Sequence, residues 1–132
     1  MDRRLFLAAS AAATLAPLSA FAKGFVDYTP GAIKAELAAG KTVFVDYSAV
    51  WCSTCHRQER VINELRDQDS KYDKAMTFIK VDWDKYGRHA VATSRNIPRR
   101  STLIVLKGKQ ELGRIVAGTS VAQIESLMKR GL

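Results

Sequence analysis

The chain has 132 residues, 21 Lys+Arg against 13 Asp+Glu for a formal net charge of +8, 47% hydrophobic residues and two cysteines. That length and apolar content suit one domain with one modest core, and two cysteines exclude a scaffold stapled by several disulfides. The basic residues are spread along the chain instead of clustering, which points to acidic protein partners or solubility and away from nucleic acid.

The N-terminus reads as a removable export signal. Met1-Asp2-Arg3-Arg4 precedes an Ala/Leu-rich stretch from Leu5 to Leu18, and Ala20-Phe21-Ala22 is a small-x-small cleavage site. Arg3-Arg4-Leu5-Phe6-Leu7 matches the R-R-x-F-L core of a twin-arginine signal, with an ordinary secretory signal as the alternative. Pro17 and the many alanines make a poor membrane anchor, so no stable membrane span is expected after cleavage near Ala22. Residues 1–22 are thus assigned to the signal and residues 23–132 to a single exported domain, expected in the periplasm.

In chain order, a short strand near Phe25-Val26-Asp27-Tyr28 leads to Thr29-Pro30, read as an N-cap and first helical residue. Ile33 and Leu37 mark that helix and Gly40 ends it. Thr42-Val43-Phe44-Val45-Asp46-Tyr47 is apolar almost throughout, as a strand covered on both faces would be. Beyond Cys55, Val61, Ile62 and Leu65 recur at spacings of three and four, with Arg57, Glu59, Arg60, Asn63, Glu64 and Arg66 opposite, which predicts an amphipathic helix. Met76 to Asp82 is a third strand and Lys85 to Ser94 a weaker helix. Thr102 to Leu106 and Glu111 to Val116 flank a hairpin turn at Lys107-Gly108-Lys109-Gln110. Ser120-x-x-Gln123 opens a last helix with Ile124, Leu127 and Met128 on its apolar face, ending near Gly131.

Both cysteines fall in Trp51-Cys52-Ser53-Thr54-Cys55-His56. Read as C-x-x-C-H, this is the attachment motif of a c-type haem, with His56 as an iron ligand. Read as W-C-x-x-C, it is a dithiol that opens and closes a disulfide. The flanking elements favour the dithiol, because they put both cysteines where a buried strand becomes the start of a helix. There, unpaired amide N–H groups and the positive end of the helix dipole stabilise a thiolate on Cys52. A zinc site, an inert disulfide and a non-catalytic binding module remain as other readings.

The order β-α-β-α-β-α-β-β-α, with W-C-x-x-C after the second strand, resembles the thioredoxin family over residues 23–132. Val45-Asp46-Tyr47-Ser48-Ala49-x-Trp51-Cys52 is similar to the family's V-D-F-W-A-x-W-C, Lys80 falls at its third-strand lysine, and Lys107 to Glu111 match its hairpin. The Tyr47-to-Cys52 stretch and the export signal look most like periplasmic members, such as the C-terminal domain of the thiol:disulfide interchange protein DsbD. The resemblance implies an α/β fold with a mixed central sheet and helices on both faces. It implies a protein-disulfide oxidoreductase that reduces, or relays electrons to, protein disulfides without a cofactor or metal, acting as a monomer and fed by a membrane or periplasmic thiol donor.

Cys52 is then the expected nucleophile and Cys55 the resolving thiol. Asp46, an acid in an apolar strand, would have a raised pKa unless Lys80 on the next strand pairs with it. By resemblance, Asp46 is the general base for Cys55. Trp51 packs beside the thiols as part of a substrate platform, whereas His56 and His89 read as solvated. The chain departs from the family at its cis-proline site, where counting back from Thr102 places Ser101; Pro98 is the alternative. A serine there is expected to have a trans peptide bond. Ser101 and Arg100 are read as substrate-binding, with Arg99 and Arg100 forming a positive rim that favours acidic substrates. Asp82-Trp83-Asp84 reads as a solvated turn.

Overall fold

The computed structural model describes residues 24–132, so the export signal expected over residues 1–22 lies outside the described residues. Strand β1 (Val26–Asp27) is followed by α1 (Ala32–Ala38), β2 (Thr42–Ser48), α2 (Ser53–Gln68), α3 (Lys71–Ala75), β3 (Met76–Asp82), α4 (Trp83–Tyr86), α5 (Ala90–Thr93), β4 (Thr102–Lys107), β5 (Gln110–Val116) and α6 (Val121–Lys129). The strands make one sheet in the order β1-β3-β2-β4-β5. β3 is parallel to β1 and β2, whereas β4 is antiparallel to β2 and β5 to β4. The sheet is mixed and carries helices on both faces, as the order of elements predicts.

β2 is central, and every one of its residues is buried. Successive side chains of a strand point to opposite faces. Val43, Val45 and Tyr47 therefore enter a core with Ile33 of α1, Ile79, Ile104 and Tyr86. Phe44 enters the other core with Ile62 and Leu65 of α2 and Ile124, Leu127 and Met128 of α6. Asp46 follows Phe44 by two residues, so its carboxyl faces the α2 side, beneath the helix that carries the cysteines.

α2 lies on this face through a stripe of Cys55, Gln58, Ile62, Leu65 and Arg66. Arg66 reaches Asp73 at 2.6 Å and lies 4.1 Å from the centroid of the Phe78 ring, which ties the end of the helix to α3 and β3.

Some boundaries differ from the sequence reading. α1 starts at Ala32, because Gly31 takes φ 90° and keeps Thr29-Pro30 in a turn whose only helical mark is the Ala32 N–H to Thr29 C=O bond. Its end is as expected: Gly40 at φ 82° lets its own N–H reach Leu37 C=O and the Lys41 N–H reach Glu36 C=O, both at 3.0 Å. The helix expected over Lys85 to Ser94 is two short turns, α4 and α5, separated by Gly87-Arg88-His89. The sequence pattern gives no sign of α3. The hairpin closes more tightly than expected, with β4 reaching Lys107, β5 beginning at Gln110, and Gly108 at φ 59°.

Candidate active site

The chain leaves β2 at Ser48 and turns through Ala49-Val50-Trp51, the Cys52 N–H donating to Ala49 C=O at 3.1 Å. Cys52 is the N-cap of α2: its backbone is extended and its Sγ accepts the Cys55 N–H at 3.1 Å. A sulfur thus holds the place that a serine or aspartate oxygen usually takes, and a thiolate fits it better than a thiol because the donor N–H and the helix dipole both favour negative charge. Cys52 is 4% exposed and Cys55 is fully buried. Both are free thiols.

Ser101, one residue before β4, lies against the pair. Its Oγ is 3.2 Å from Cys52 Sγ and 3.1 Å from Cys55 Sγ. No cis peptide bond occurs among the described residues, and Ser101 has φ 65°. Its N–H donates to Tyr47 C=O at 2.7 Å, and its C=O accepts from the Ala117 N–H at 2.8 Å and from Gln58 Nε2 at 2.9 Å. Gln58 also donates to Gly118 C=O at 2.9 Å, so this buried amide on α2 holds both loops that frame the dithiol. Pro98 is exposed. Sequence reasoning missed Gln58, although it falls on the Cys55/Ile62/Leu65 stripe at helical spacing.

The two thiols titrate in opposite directions. Burial pushes Cys52 up, but hydrogen bonding with Cys55 and Ser101 and the nearby Arg100 side chain outweigh it and bring the thiol down to about 7. Burial raises Cys55, and its hydrogen bond to Cys52 raises it further. Cys52 is thus poised as a thiolate near neutral pH while Cys55 keeps its proton, the asymmetry that exchange chemistry requires.

Asp46 has no exposed surface, and neither of its carboxylate oxygens has a hydrogen-bond partner. Desolvation raises its pKa to about 7; Lys80 opposes the rise, whereas Glu59 and Cys52 add to it. The expected Asp46–Lys80 ion pair is not formed. Lys80 is directly across from Asp46 in the strand register, but its Nζ bonds Glu59 Oε1 of α2 at 2.6 Å. The physical reason is solvation: Lys80 and Glu59 are each partly exposed, and a long ammonium chain keeps its charge in water more cheaply than it follows a carboxylate inward. This pair lines a groove of about 770 Å³ that also borders His56, Ser48 and Val50, whereas neither cysteine lines it.

Around the thiols, Trp51 is 58% exposed and Val50 82%. The Trp51 Nε1–H donates to Asp84 Oδ2 at 2.8 Å, and the Arg100 guanidinium lies over the indole at 4.5 Å from the ring centroid. Trp51 is therefore a surface plate clamped between an acid and a base. Asp82 caps α4 by accepting the Asp84 N–H. The Arg99 Nε–H turns back to Arg100 C=O at 2.9 Å. His56 and His89 are exposed, as expected. The packing disfavours the haem reading: the buried Cys55 sulfur and its neighbour converge on one serine hydroxyl, which leaves no open edge where a flat macrocycle could join both.

A mixed sheet whose central strand delivers Cys-x-x-Cys to a helix N-terminus, with one thiol poised for ionisation and one protected, defines a thioredoxin-like disulfide oxidoreductase. Residues 25–130 match the thioredoxin family, and the chain belongs to it. Among curated relatives, it is 33% identical over 76 residues to Thioredoxin H2-1 of Oryza sativa subsp. japonica, covering 58% of this chain and 51% of that protein. It is 29% identical over 100 residues to mitochondrial Thioredoxin-2 of Schizosaccharomyces pombe, covering 76% and 70%. The chain thus spans about half the length of the rice relative. Among solved structures, Trxlp from Edwardsiella tarda EIB202 superposes with a TM-score of 0.67 at 32% identity, over 77% of this chain and 97% of that one. Schistosoma mansoni thioredoxin gives 0.65 at 27%, over 83% and 97%.

Proposed function

We propose that this chain is an exported thiol–disulfide oxidoreductase of the periplasm that reduces, or relays electrons to, disulfides of other proteins. The observation that carries this reading is the opposed titration of Cys52 and Cys55 around one shared hydroxyl. The Cys52 thiolate attacks a substrate disulfide, forming a mixed disulfide and expelling one substrate thiolate. Cys55 gives its proton to Asp46 and attacks Cys52 Sγ, which closes the Cys52–Cys55 disulfide and frees the second substrate thiolate. Asp46, titrating near 7, accepts and returns a proton at neutral pH. Trp51 and Arg100 receive the substrate, and a membrane or periplasmic thiol resets the dithiol.

Arg3-Arg4-Leu5-Phe6-Leu7 and Ala20-Phe21-Ala22 support export, and the Tyr47-to-Cys52 stretch supports kinship with periplasmic interchange domains. The test is reduction of a model protein disulfide by residues 23–132 with a small thiol as donor. Activity that Cys52→Ser abolishes supports the reading; a wild-type domain that passes no electrons would make it a binding module. Replacing Arg3 and Arg4 with lysine should leave an unprocessed precursor, and normal processing would indicate the general secretory route instead.

A further inference from the structure

The expected substrate-binding role of Ser101 does not fit its full burial, but its side chain touches both thiols. The side chain is fully buried, and its hydroxyl is within hydrogen-bond reach of both sulfurs, at 3.2 Å and 3.1 Å. Its own backbone N–H and C=O are satisfied elsewhere, by Tyr47, Ala117 and Gln58. At φ 65° a serine carries strain that a glycine would avoid. What serine adds over glycine here is this hydroxyl.

We propose that the Ser101 hydroxyl is a catalytic hydrogen-bond donor that serves the two sulfurs in turn, Cys52 in the resting dithiol and Cys55 in the mixed disulfide. This rests on the exchange reaction proposed above. A hydroxyl has one proton to give and lone pairs to receive. In the resting state the O–H donates to the Cys52 thiolate, to which the Cys55 S–H also donates. When Cys52 forms its bond to a substrate sulfur, the other substrate sulfur leaves as a thiolate and the charge on Cys52 is gone. The hydroxyl then turns by rotation about its own C–O bond and donates to Cys55 as the Cys55 proton passes to Asp46. Cys55 attacks Cys52 Sγ, the internal S–S bond forms, the bond from Cys52 to substrate breaks, and the second substrate thiolate leaves. The substrate disulfide has gained the two electrons that the dithiol has lost.

The titration of the thiols agrees with this use: Ser101 stabilises the ionised form of Cys52 and of Cys55 alike. Cys55 also has help from the Ala49 backbone and the Ser48 side chain, so losing the hydroxyl slows resolution without stopping it.

The experiment compares wild type with Ser101→Gly, which keeps the left-handed backbone, and Ser101→Ala, which keeps the Cβ. Urea unfolding establishes that both fold. Two quantities are read: the midpoint of the Cys52 thiolate absorbance against pH, and the rate at which a preformed mixed disulfide of Cys52 with a chromogenic aromatic thiol releases that thiol. A hydrogen bond to a charged sulfur predicts an upward shift of about one pH unit and release slowed about tenfold, alike in both variants. An unmoved midpoint with unchanged release overturns the proposal, as does a loss confined to Ser101→Ala, which would trace to the backbone. Both readouts need no protein substrate, so a wild type inactive on protein disulfides would sink the functional reading and still leave Ser101 decided by these measurements.

Discussion

Asp46 and Lys80 are directly opposite on adjacent parallel strands, yet the Lys80 ammonium bonds Glu59 at 2.6 Å and leaves both Asp46 carboxylate oxygens without a hydrogen-bond partner. The field of the lysine still reaches Asp46, but burial wins and lifts the acid from 3.8 to about 7. A carboxyl in this position is an unfavourable feature of the fold that exchange chemistry can use.

Burial of this acid makes stability depend on pH. Because the folded protein holds the Asp46 proton to higher pH than the unfolded chain does, stability is fully present below the unfolded pKa and is lost as pH rises through about 7. Each tenfold difference in proton affinity between the folded and unfolded states corresponds to about 1.4 kcal/mol. Asp46→Asn should therefore be more stable than wild type at pH 8, by up to about 4 kcal/mol, with the gain vanishing below pH of about 4. Urea unfolding across pH checks it; a gain independent of pH would mean that the charge is not the cause.

Glu59 bears on the same acid in two ways, adding negative charge nearby and holding Lys80 away. Glu59→Gln should lower the pH at which wild-type stability falls off, by about one unit. The Lys80–Glu59 pair is partly exposed and its loss costs at most about 1 kcal/mol, so the position of the pH transition is the readout. Lys80→Met should move that transition upward, and equal shifts in both variants would refute this arrangement.

The central strand, the dithiol helix and the hairpin are legible in the sequence because each signal is local: an unbroken apolar run, a helical stripe, a glycine between two strands. α3 is not, since Lys71-Tyr72-Asp73-Lys74-Ala75 offers one buried residue and no period. The sequence starts α1 two residues early because Thr29-Pro30 imitates a helix start that the left-handed Gly31 postpones. Glu59 reads as solvated surface, and its capture of Lys80 depends on the distance between α2 and β3, which no local pattern encodes. Ser101 can be placed by counting from β4, but its φ of 65° and its contact with both sulfurs arise where the Tyr47, Ala117 and Gln58 bonds converge from distant segments.

The thiolate of Cys52 sets a second pH dependence. With its pKa brought down to about 7, the rate of alkylation by iodoacetamide should rise about tenfold per pH unit below about 6 and level off above about 8. Cys55 should stay unmodified over that range because burial raises its pKa and shields it. Mass spectrometry of partly alkylated protein distinguishes the two sites, and preferential labelling of Cys55 would reverse their roles.

Ser101→Pro is expected to destabilise the domain, although the thioredoxin family places a proline at this site. Proline cannot take φ 65° and has no N–H to give to Tyr47 C=O, a bond of 2.7 Å here. The loss should be about 3 kcal/mol, whereas Pro98→Ala, at an exposed position, should cost less than about 1 kcal/mol. Thermal unfolding decides between them, and a neutral Ser101→Pro would show that the loop before β4 re-forms around proline.

Substrate choice should follow the charge beside the thiols. Arg100 lies on the exposed Trp51 indole next to Cys52, and Arg99, the preceding residue, bonds back to the Arg100 carbonyl and adds a second positive charge to the same loop. A disulfide peptide flanked by acidic residues should then react faster than the same peptide flanked by lysines, by about tenfold at low salt. The preference should shrink as salt shortens the screening length, to near parity at about 1 M, because these groups are at the surface. Arg100→Ala also weakens the support of the Cys52 thiolate, which slows both peptides equally; only the ratio of rates reports on steering. Stopped-flow rates for the two peptides, at low and high salt in wild type and in Arg99→Ala, Arg100→Ala, measure that ratio. A preference that survives either high salt or loss of both arginines would place the selectivity elsewhere on the surface.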